Sequence, residues 1–164
     1  MAGQIRVAGI VKESIVDGPG IRYVVFTQGC KHNCPGCHNP ETHSFEGGSM
    51  MDVETILQQI KENPLLDGIT LSGGEPFEQA EELVELAKEV KEMKLSVIIY
   101  TGYTYEQIIE NSENRPGWGR LLEHTDILVD GPFIKEFADP LLSFRGSSNQ
   151  RMINLKLADP ASGN

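Results

Sequence analysis

Residues 21–37 read Ile21-Arg22-Tyr23-Val24-Val25-Phe26-Thr27-Gln28-Gly29-Cys30-Lys31-His32-Asn33-Cys34-Pro35-Gly36-Cys37. The first seven are rich in β-branched and aromatic side chains, which suit a pleated, half-buried surface and predict a strand. That strand runs straight into three cysteines within eight residues, and these are the only cysteines of the chain. Three thiolates so close together supply an incomplete ligand set for a tetrahedral zinc or a four-iron cluster. An open position on such a centre is where chemistry takes place.

Moving outward, short β-rich runs alternate with helical runs. Residues 53–61 predict a short helix, and residues 68–71 a strand followed by Ser72-Gly73-Gly74-Glu75-Pro76. From 78 to 93, Ala80, Leu83, Val84, Ala87 and Val90 recur at helical spacing, with Glu81, Glu82, Glu85, Glu89 and Glu92 on a solvated face. Residues 96–100 predict a strand ending in Thr101-Gly102-Tyr103, and residues 105–111 a helix broken by Arg115-Pro116-Gly117. Residues 127–129 predict another strand, ending in Asp130-Gly131-Pro132, and residues 152–155 a last extended piece.

This alternation implies an α/β fold with a parallel sheet and right-handed crossovers. In such a sheet the loops after the strand C-termini share one edge and build the active site. The cysteines, Gly73-Gly74-Glu75 and Asp130 are therefore expected to converge. A full eightfold barrel needs ~250 residues. The 164-residue chain is expected to form an incomplete, partial TIM-like barrel of parallel strands with outer helices, one domain over 1–164.

Composition narrows the class. With 14 Lys+Arg against 24 Asp+Glu, the net charge of -10 argues against a nucleic-acid backbone or an anionic membrane as partner. No apolar run approaches transmembrane length, and Met1-Ala2-Gly3-Gln4-Ile5-Arg6 lacks the apolar stretch of a signal peptide. A cytoplasmic, reducing location is the expectation. Clustered cysteines in that setting read as metal-binding or redox-active rather than as structural disulfides.

Four readings compete for the cysteine segment. Cys34-Pro35-Gly36-Cys37-His38 matches the c-type haem attachment pattern, yet leaves Cys30 without a role. A thiol–disulfide pair of Cys34 and Cys37 has the same defect. A structural zinc completed by His32 or His38 is the serious non-catalytic alternative. A 4Fe–4S cluster held by Cys30, Cys34 and Cys37, with its fourth iron open, uses all three thiols, and Pro35 and Gly36 let the chain turn sharply between them. This last reading carries most weight, because the C-x3-C-x2-C spacing is specific and Gly73-Gly74-Glu75 follows the next strand.

At these residues the chain resembles the radical S-adenosylmethionine superfamily, which carries C-x3-C-x2-C after its first strand and Gly-Gly-Glu after its second. More closely, it resembles the activating proteins of anaerobic ribonucleoside-triphosphate reductase. The stretches concerned are residues 13–20, 29–42, 71–77, 100–104, 129–133 and 144–151, spread over nearly the whole chain. Many superfamily members have an aromatic residue where this chain has Gly36, so contact with adenine would come from backbone.

The resemblance implies a shortened radical S-adenosylmethionine core with one 4Fe–4S cluster on Cys30, Cys34 and Cys37. S-adenosyl-L-methionine would chelate the open iron through its amino and carboxylate groups. Gly36, Cys37 and His38 would line its adenine side. Gly73 and Gly74 would approach its methionyl part, and Glu75 or neighbouring carbonyls would balance its ammonium. One-electron cleavage of the sulfonium would give a radical that abstracts hydrogen from a glycine of the large reductase subunit. Reduced flavodoxin or ferredoxin is the implied electron donor, and a homodimer or a complex with the reductase dimer the implied assembly.

No acid–base pair is required beyond cluster and cofactor. Asp130 is a further candidate for contact with ligand or glycine loop, against a turn-forming role before Gly131-Pro132. Arg145, Asn149, Gln150 and Arg151 are candidates for gripping the partner, against a polar loop turning at Gly146. Trp118 reads more readily as buried than as a partner anchor, and Tyr103 and Tyr105 as packing at a helix start. His43 and His124 read as surface or core histidines, and Asp17-Gly18-Pro19-Gly20 as a turn or a loop over the cluster. The alternatives in function are an activase of pyruvate formate-lyase or another glycyl-radical enzyme, a small-molecule radical enzyme using the same cofactor, and a non-catalytic zinc-binding module.

Overall fold

The computed structural model describes residues 3–29 and 47–158. Cys30, Cys34, Gly36, Cys37, His38 and His43 lie outside the described residues. The described elements are strands β1 (Gln4–Ser14), β2 (Arg22–Thr27) and β3 (Ser49–Asp52), helix α1 (Val53–Lys61), β4 (Gly68–Gly73), α2 (Ala80–Glu92) and β5 (Ser96–Tyr100). They continue with α3 (Tyr105–Asn111), α4 (Trp118–Glu123), β6 (Ile127–Asp130), β7 (Arg151–Asn154) and α5 (Leu155–Ala158).

The strands form one open sheet in the order β3-β1-β2-β4-β5-β6-β7. The expected α/β layering holds for β2, β4, β5 and β6, which run parallel. The expectation of parallel strands throughout does not hold. β1 is antiparallel to both β2 and β3, and β7 is antiparallel to β6. β1 pairs with both neighbours, burying Ile5 and Val7 while Val11, Lys12 and Glu13 stay exposed. β3 is a four-residue strand, Ser49-Met50-Met51-Asp52, formed entirely by pairing with β1.

Register places Val25, Leu71, Ile99 and Leu128 side by side across the four parallel strands. This row joins Ile56 and Ile60 of α1, Leu83 and Ala87 of α2, and Leu121 of α4 in the hydrophobic core. Each such fully buried aliphatic side chain contributes roughly 2 kcal/mol. Side chains alternate across a strand, so the intervening residues face the other way. Arg22 and Thr70 stand on that second face, and Phe26, Ser72 and Tyr100 line a cavity there near the strand ends.

Two helix starts show how local chemistry sets the boundaries. α3 opens with a capping box, in which the Thr104 hydroxyl accepts from Gln107 N while the Gln107 side chain accepts from Thr104 N. The helix expected from residue 78 begins at Ala80, because Pro76–Gln79 forms a 3-10 turn with Glu75 capping it through Phe77 N.

Candidate active site at the carboxyl edge of the parallel strands

Gly73 and Gly74 end β4 and turn the chain toward the strand that delivers the cysteines. Gly73 has φ 93°, a left-handed conformation that favours glycine. A Cβ on Gly74 would sit 2.5 Å from Gly29 O, and one on Gly73 2.5 Å from Thr27 N. The pair therefore lets two backbones touch. Gly74 N donates to Thr27 O at 2.7 Å and Glu75 N to Gly29 O at 2.7 Å. Gly29 immediately precedes Cys30.

Glu75 continues the chain of contacts. Its buried carboxylate accepts from Thr101 Oγ1 at 2.7 Å, Gly102 N at 2.8 Å and Phe77 N at 3.1 Å. Gly131 N in turn donates to Tyr103 O at 2.9 Å. The ends of β2, β4, β5 and β6 are thus joined in series by hydrogen bonds: Gly29 to Glu75, Glu75 to Thr101 and Gly102, Tyr103 to Gly131. Among the described residues Gly73, Gly74 and Glu75 meet Gly29, Thr101 and Gly102 at one edge, with Gly131, next to Asp130, bonded to Tyr103; the cysteines expected to join them lie outside the described residues.

Asp130 is buried at the end of β6. Its carboxylate accepts from Tyr105 N at 2.7 Å and from Arg151 Nε at 3.0 Å, with a second, shorter contact from Arg151 Nη2. Arg151 also pairs with Glu106 at 2.7 Å, and these two carboxylates hold its pKa above the ordinary value. Asp130 therefore ties β6 to the start of α3 and to β7. Trp118 is buried, donates Nε1 to Phe77 O at 2.9 Å, and lies under the Arg115 guanidinium, 4.4 Å from the ring centroid. The Tyr103 hydroxyl donates to Glu78 at 2.6 Å, and burial pushes its pKa up. His124 caps α4, and burial lowers its pKa.

On the second face of the sheet Arg22 is fully buried. Nε donates to Thr70 Oγ1 at 2.9 Å, Nη1 to Pro19 O at 3.0 Å, and Nη2 to Ile69 O at 2.7 Å and Ser96 O at 3.0 Å. Burial pushes its pKa down to about 10, against the attraction of Asp126 and Asp67. Thr70 Oγ1 donates to Asp17 O at 2.7 Å. The Asp17-Gly18-Pro19-Gly20 segment is thereby laid across this face, and Gly18, at φ 132°, leaves no room for a Cβ against Ile98 at 2.7 Å. A pocket of about 580 Å3 opens beside it, floored by Phe26, Ser72 and Tyr100 and walled by Asp17, Phe133 and Arg145. Its size lies within the roughly 300–1,000 Å3 usual for small-molecule sites.

Sequence reasoning missed four contributors. Thr101 and Arg22 are buried polar partners defined only by tertiary neighbours. Gln79 bridges Arg6 N (2.8 Å), Arg6 O (2.9 Å) and Gln28 O (3.3 Å), and Arg6 Nη1 donates to Gly47 O at 3.1 Å. Gly29 and Gly47 are the described residues that flank 30–46, so both boundaries of that segment are fastened to β1 or β4. Among the described residues no group of three or more His, Cys, Asp or Glu is arranged to hold a metal, and no helix is long and apolar enough to cross a membrane.

The chain as a whole is similar to known proteins. A family model described as a 4Fe-4S single cluster domain matches residues 16–153. The anaerobic ribonucleoside-triphosphate reductase-activating protein of Haemophilus influenzae is 33% identical over 151 residues, 87% of this chain and 94% of the relative. That of Vibrio cholerae is 36% identical over 144 residues, covering 83% and 89%. The pyruvate formate-lyase-activating enzyme of Clostridium pasteurianum is 38% identical over 130 residues, 76% of this chain and 50% of its own length. With a family match that runs over residues 16–153 and relatives matched over most of their length, the chain belongs to the 4Fe–4S family of the anaerobic ribonucleoside-triphosphate reductase-activating proteins.

Proposed function

We propose that the chain is a radical S-adenosylmethionine activase that generates a glycyl radical on the large subunit of an anaerobic ribonucleoside-triphosphate reductase. The observation that carries this reading is the backbone junction of Gly73-Gly74-Glu75 with Thr27–Gly29, which holds the residue before Cys30 at the carboxyl edge of the parallel strands. Three thiols at C-x3-C-x2-C fit a 4Fe–4S cluster with one open iron. A pocket of about 580 Å3 opens beside the junction, at the same edge, with room for a reacting segment of the partner. When bound, cluster and S-adenosyl-L-methionine together supply one-electron radical chemistry strong enough to take hydrogen from a glycine C–H.

The chain's own residues bind, orient and shield. Cys30, Cys34 and Cys37 are assigned as cluster ligands, and Gly36, Cys37 and His38 to the adenine side of the cofactor. Gly73 and Gly74 are assigned to its methionyl side. Because the Glu75 carboxylate already accepts from Phe77, Thr101 and Gly102, its part is to hold the turn, and balancing the ammonium falls to neighbouring carbonyls. Asp130 acts through Arg151 and Tyr105 rather than as an acid or base. Asp17 and residues between Phe133 and Gln150 line the walls of the pocket.

The same reading takes β2, β4, β5 and β6 as a shortened barrel core within one domain over 1–164, working in the cytoplasm. Its electron donor is reduced flavodoxin or ferredoxin, and its assembly a homodimer or a complex with the reductase dimer. Nucleic acid and membrane are not partners. The test is anaerobic reconstitution with iron and sulfide, followed by reduction and mixing with S-adenosyl-L-methionine and the reductase. A glycyl radical in the electron paramagnetic resonance spectrum of the reductase is the expected result. The Clostridium pasteurianum relative favours one second reading, an activase of pyruvate formate-lyase; a radical on formate-lyase alone would select it. A colourless protein with one zinc and no iron uptake would instead make the chain a binding module.

A further inference from the structure

The segment from Gly131 to Gln150 is an irregular loop fixed from within by three side chains, Gln150, Asn149 and Ser147. Gln150 Oε1 accepts from Gly146 N at 2.9 Å and Ser147 N at 3.1 Å, and its Nε2 donates to Gly131 O at 3.1 Å. Asn149 Nδ2 donates to Pro132 O at 2.8 Å. The buried Ser147 hydroxyl accepts from Ile134 N at 3.2 Å, and Ala138 bridges Ser147. So braced, the loop holds Phe144 at φ 60°, a left-handed conformation that a bulky residue adopts only under constraint from its surroundings.

The constraint aims the next residue, Arg145, into the wall of the pocket. Arg145 Nη1 donates to Gln150 O at 3.1 Å, while its enclosed Nε has no hydrogen-bond partner. No carboxylate among the described residues pairs with Arg145, in contrast to Arg115 with Glu78 and Arg151 with Asp130. A guanidinium carries five N–H donors in a planar fork, and an enclosed donor left unpaired is costly. The surroundings of the fork are aromatic, with Phe26, Phe133 and Phe144 lining the same pocket. Val16, which lines the pocket, is 72% exposed, and Ile15 and Leu141, next in sequence to the lining residues Val16 and Leu142, are 74% and 90% exposed, apolar surface of a kind that protein segments cover.

We propose that Arg145 is the residue by which this pocket grips an extended peptide segment of the partner, its guanidinium donating to main-chain carbonyl oxygens while Ile15, Val16 and Leu141 pack against the flanking side chains. The proposal rests on the activase reading and names the specificity-determining contact within it. The loop is rigid before the partner arrives, so little ordering cost is met on binding.

The test uses the reconstituted holoprotein and the intact reductase, comparing the wild type with Arg145→Gln and Arg145→Lys. Charged hydrogen bonds of this kind convert to a rise of roughly 10- to 100-fold in the KM for the reductase in Arg145→Gln. Arg145→Lys should recover part of the loss. Cleavage of S-adenosylmethionine without the reductase should change at least tenfold less than that KM. An unaltered KM for the reductase would overturn the proposal. So would an equal loss in partner-free cleavage, which would assign Arg145 to the cofactor's carboxylate. Should the variants fold poorly, hydrogen exchange of wild-type residues 131–150 decides: protection on adding the reductase is expected, and its absence overturns the proposal. A wild-type protein that forms no radical on the reductase would refute the activase reading itself, a result these comparisons keep separate.

Discussion

The two faces of the sheet are built from the same strands and follow opposite rules. On the helix side, Val25, Leu71, Ile99 and Leu128 form an apolar row under α1, α2 and α4, held by burial and packing. On the other side, the fully buried Arg22 donates four hydrogen bonds to Thr70, Pro19, Ile69 and Ser96. A helix-covered face needs only volume and shape. The second face buries Val24 and Ile98 as well, but around Arg22 its order comes from directed bonds, which tolerate substitution far less.

That contrast can be broken at several points. The largest effect is expected where the second face meets the cysteine loop. In Gly74→Ala the new Cβ meets Gly29 O at 2.5 Å, and the backbone before Cys30 has to move. A displacement of that order costs roughly 100-fold in radical yield, read by electron paramagnetic resonance; a yield within a factor of two of wild type would deny the junction its role. Next, Arg22→Leu removes the donor that orders the second face, and we expect a loss of roughly 4 kcal/mol in urea unfolding at unchanged m-value.

Leu71→Ala probes the helix face and should cost roughly 3 kcal/mol through the cavity it leaves. Its radical yield per folded molecule should nevertheless match wild type. Equal damage to yield and stability would erase the distinction between the faces. The smallest effect concerns alkali. Tyr23, on the helix face, donates its hydroxyl to Gln59 at 2.6 Å, and burial pushes its pKa up to about 12 from 10.0. A pKa raised on folding means a contribution present in full below pH ~10 and lost as pH rises through ~12, amounting to roughly 2–3 kcal/mol. Tyr23→Phe should flatten that part of the stability profile, and an unchanged slope would show that Tyr23 is not its source.

Much of the helix face was legible in the sequence because it is written in periodicity. The helix expected over 53–61 is α1, residues 96–100 are β5, and residues 105–111 are α3. The strand ends were legible too, since Gly29, Gly73-Gly74 and Gly131 mark turns that local rules anticipate. β1 was not foreseen, although Ile5 and Val7 alternate inward, because Gly9, Lys12, Glu13 and Ser14 blur its pattern. β3 carries no β-branched residue, so only its partner makes it a strand. α4 is six residues long, too short to show a period.

The second face was the least legible part. Arg22 reads as the odd residue in a β-rich run, and nothing local shows that Thr70 and Ser96 will meet it. Thr101 and Gln79 are in the same position: each is a polar residue whose importance comes from what folds against it. Glu75 shows the converse. Its place after two glycines singled it out at once, yet its carboxylate turns inward to brace Thr101 and Gly102.

The fastening of Gly29 to β4 and of Gly47 to β1 has a consequence for life with occasional oxygen. The hydrogen bonds that fix these two points are made by Glu75, Arg6 and the strands, and none of them uses a thiol or a metal. If the thiols between them hold the cluster as proposed, these two points would stand with or without iron, and part of the loop-closure cost of rebuilding the site would be met by the scaffold. Iron and sulfide should then restore an air-exposed protein without global unfolding, and a urea midpoint that collapses on iron loss would count against it.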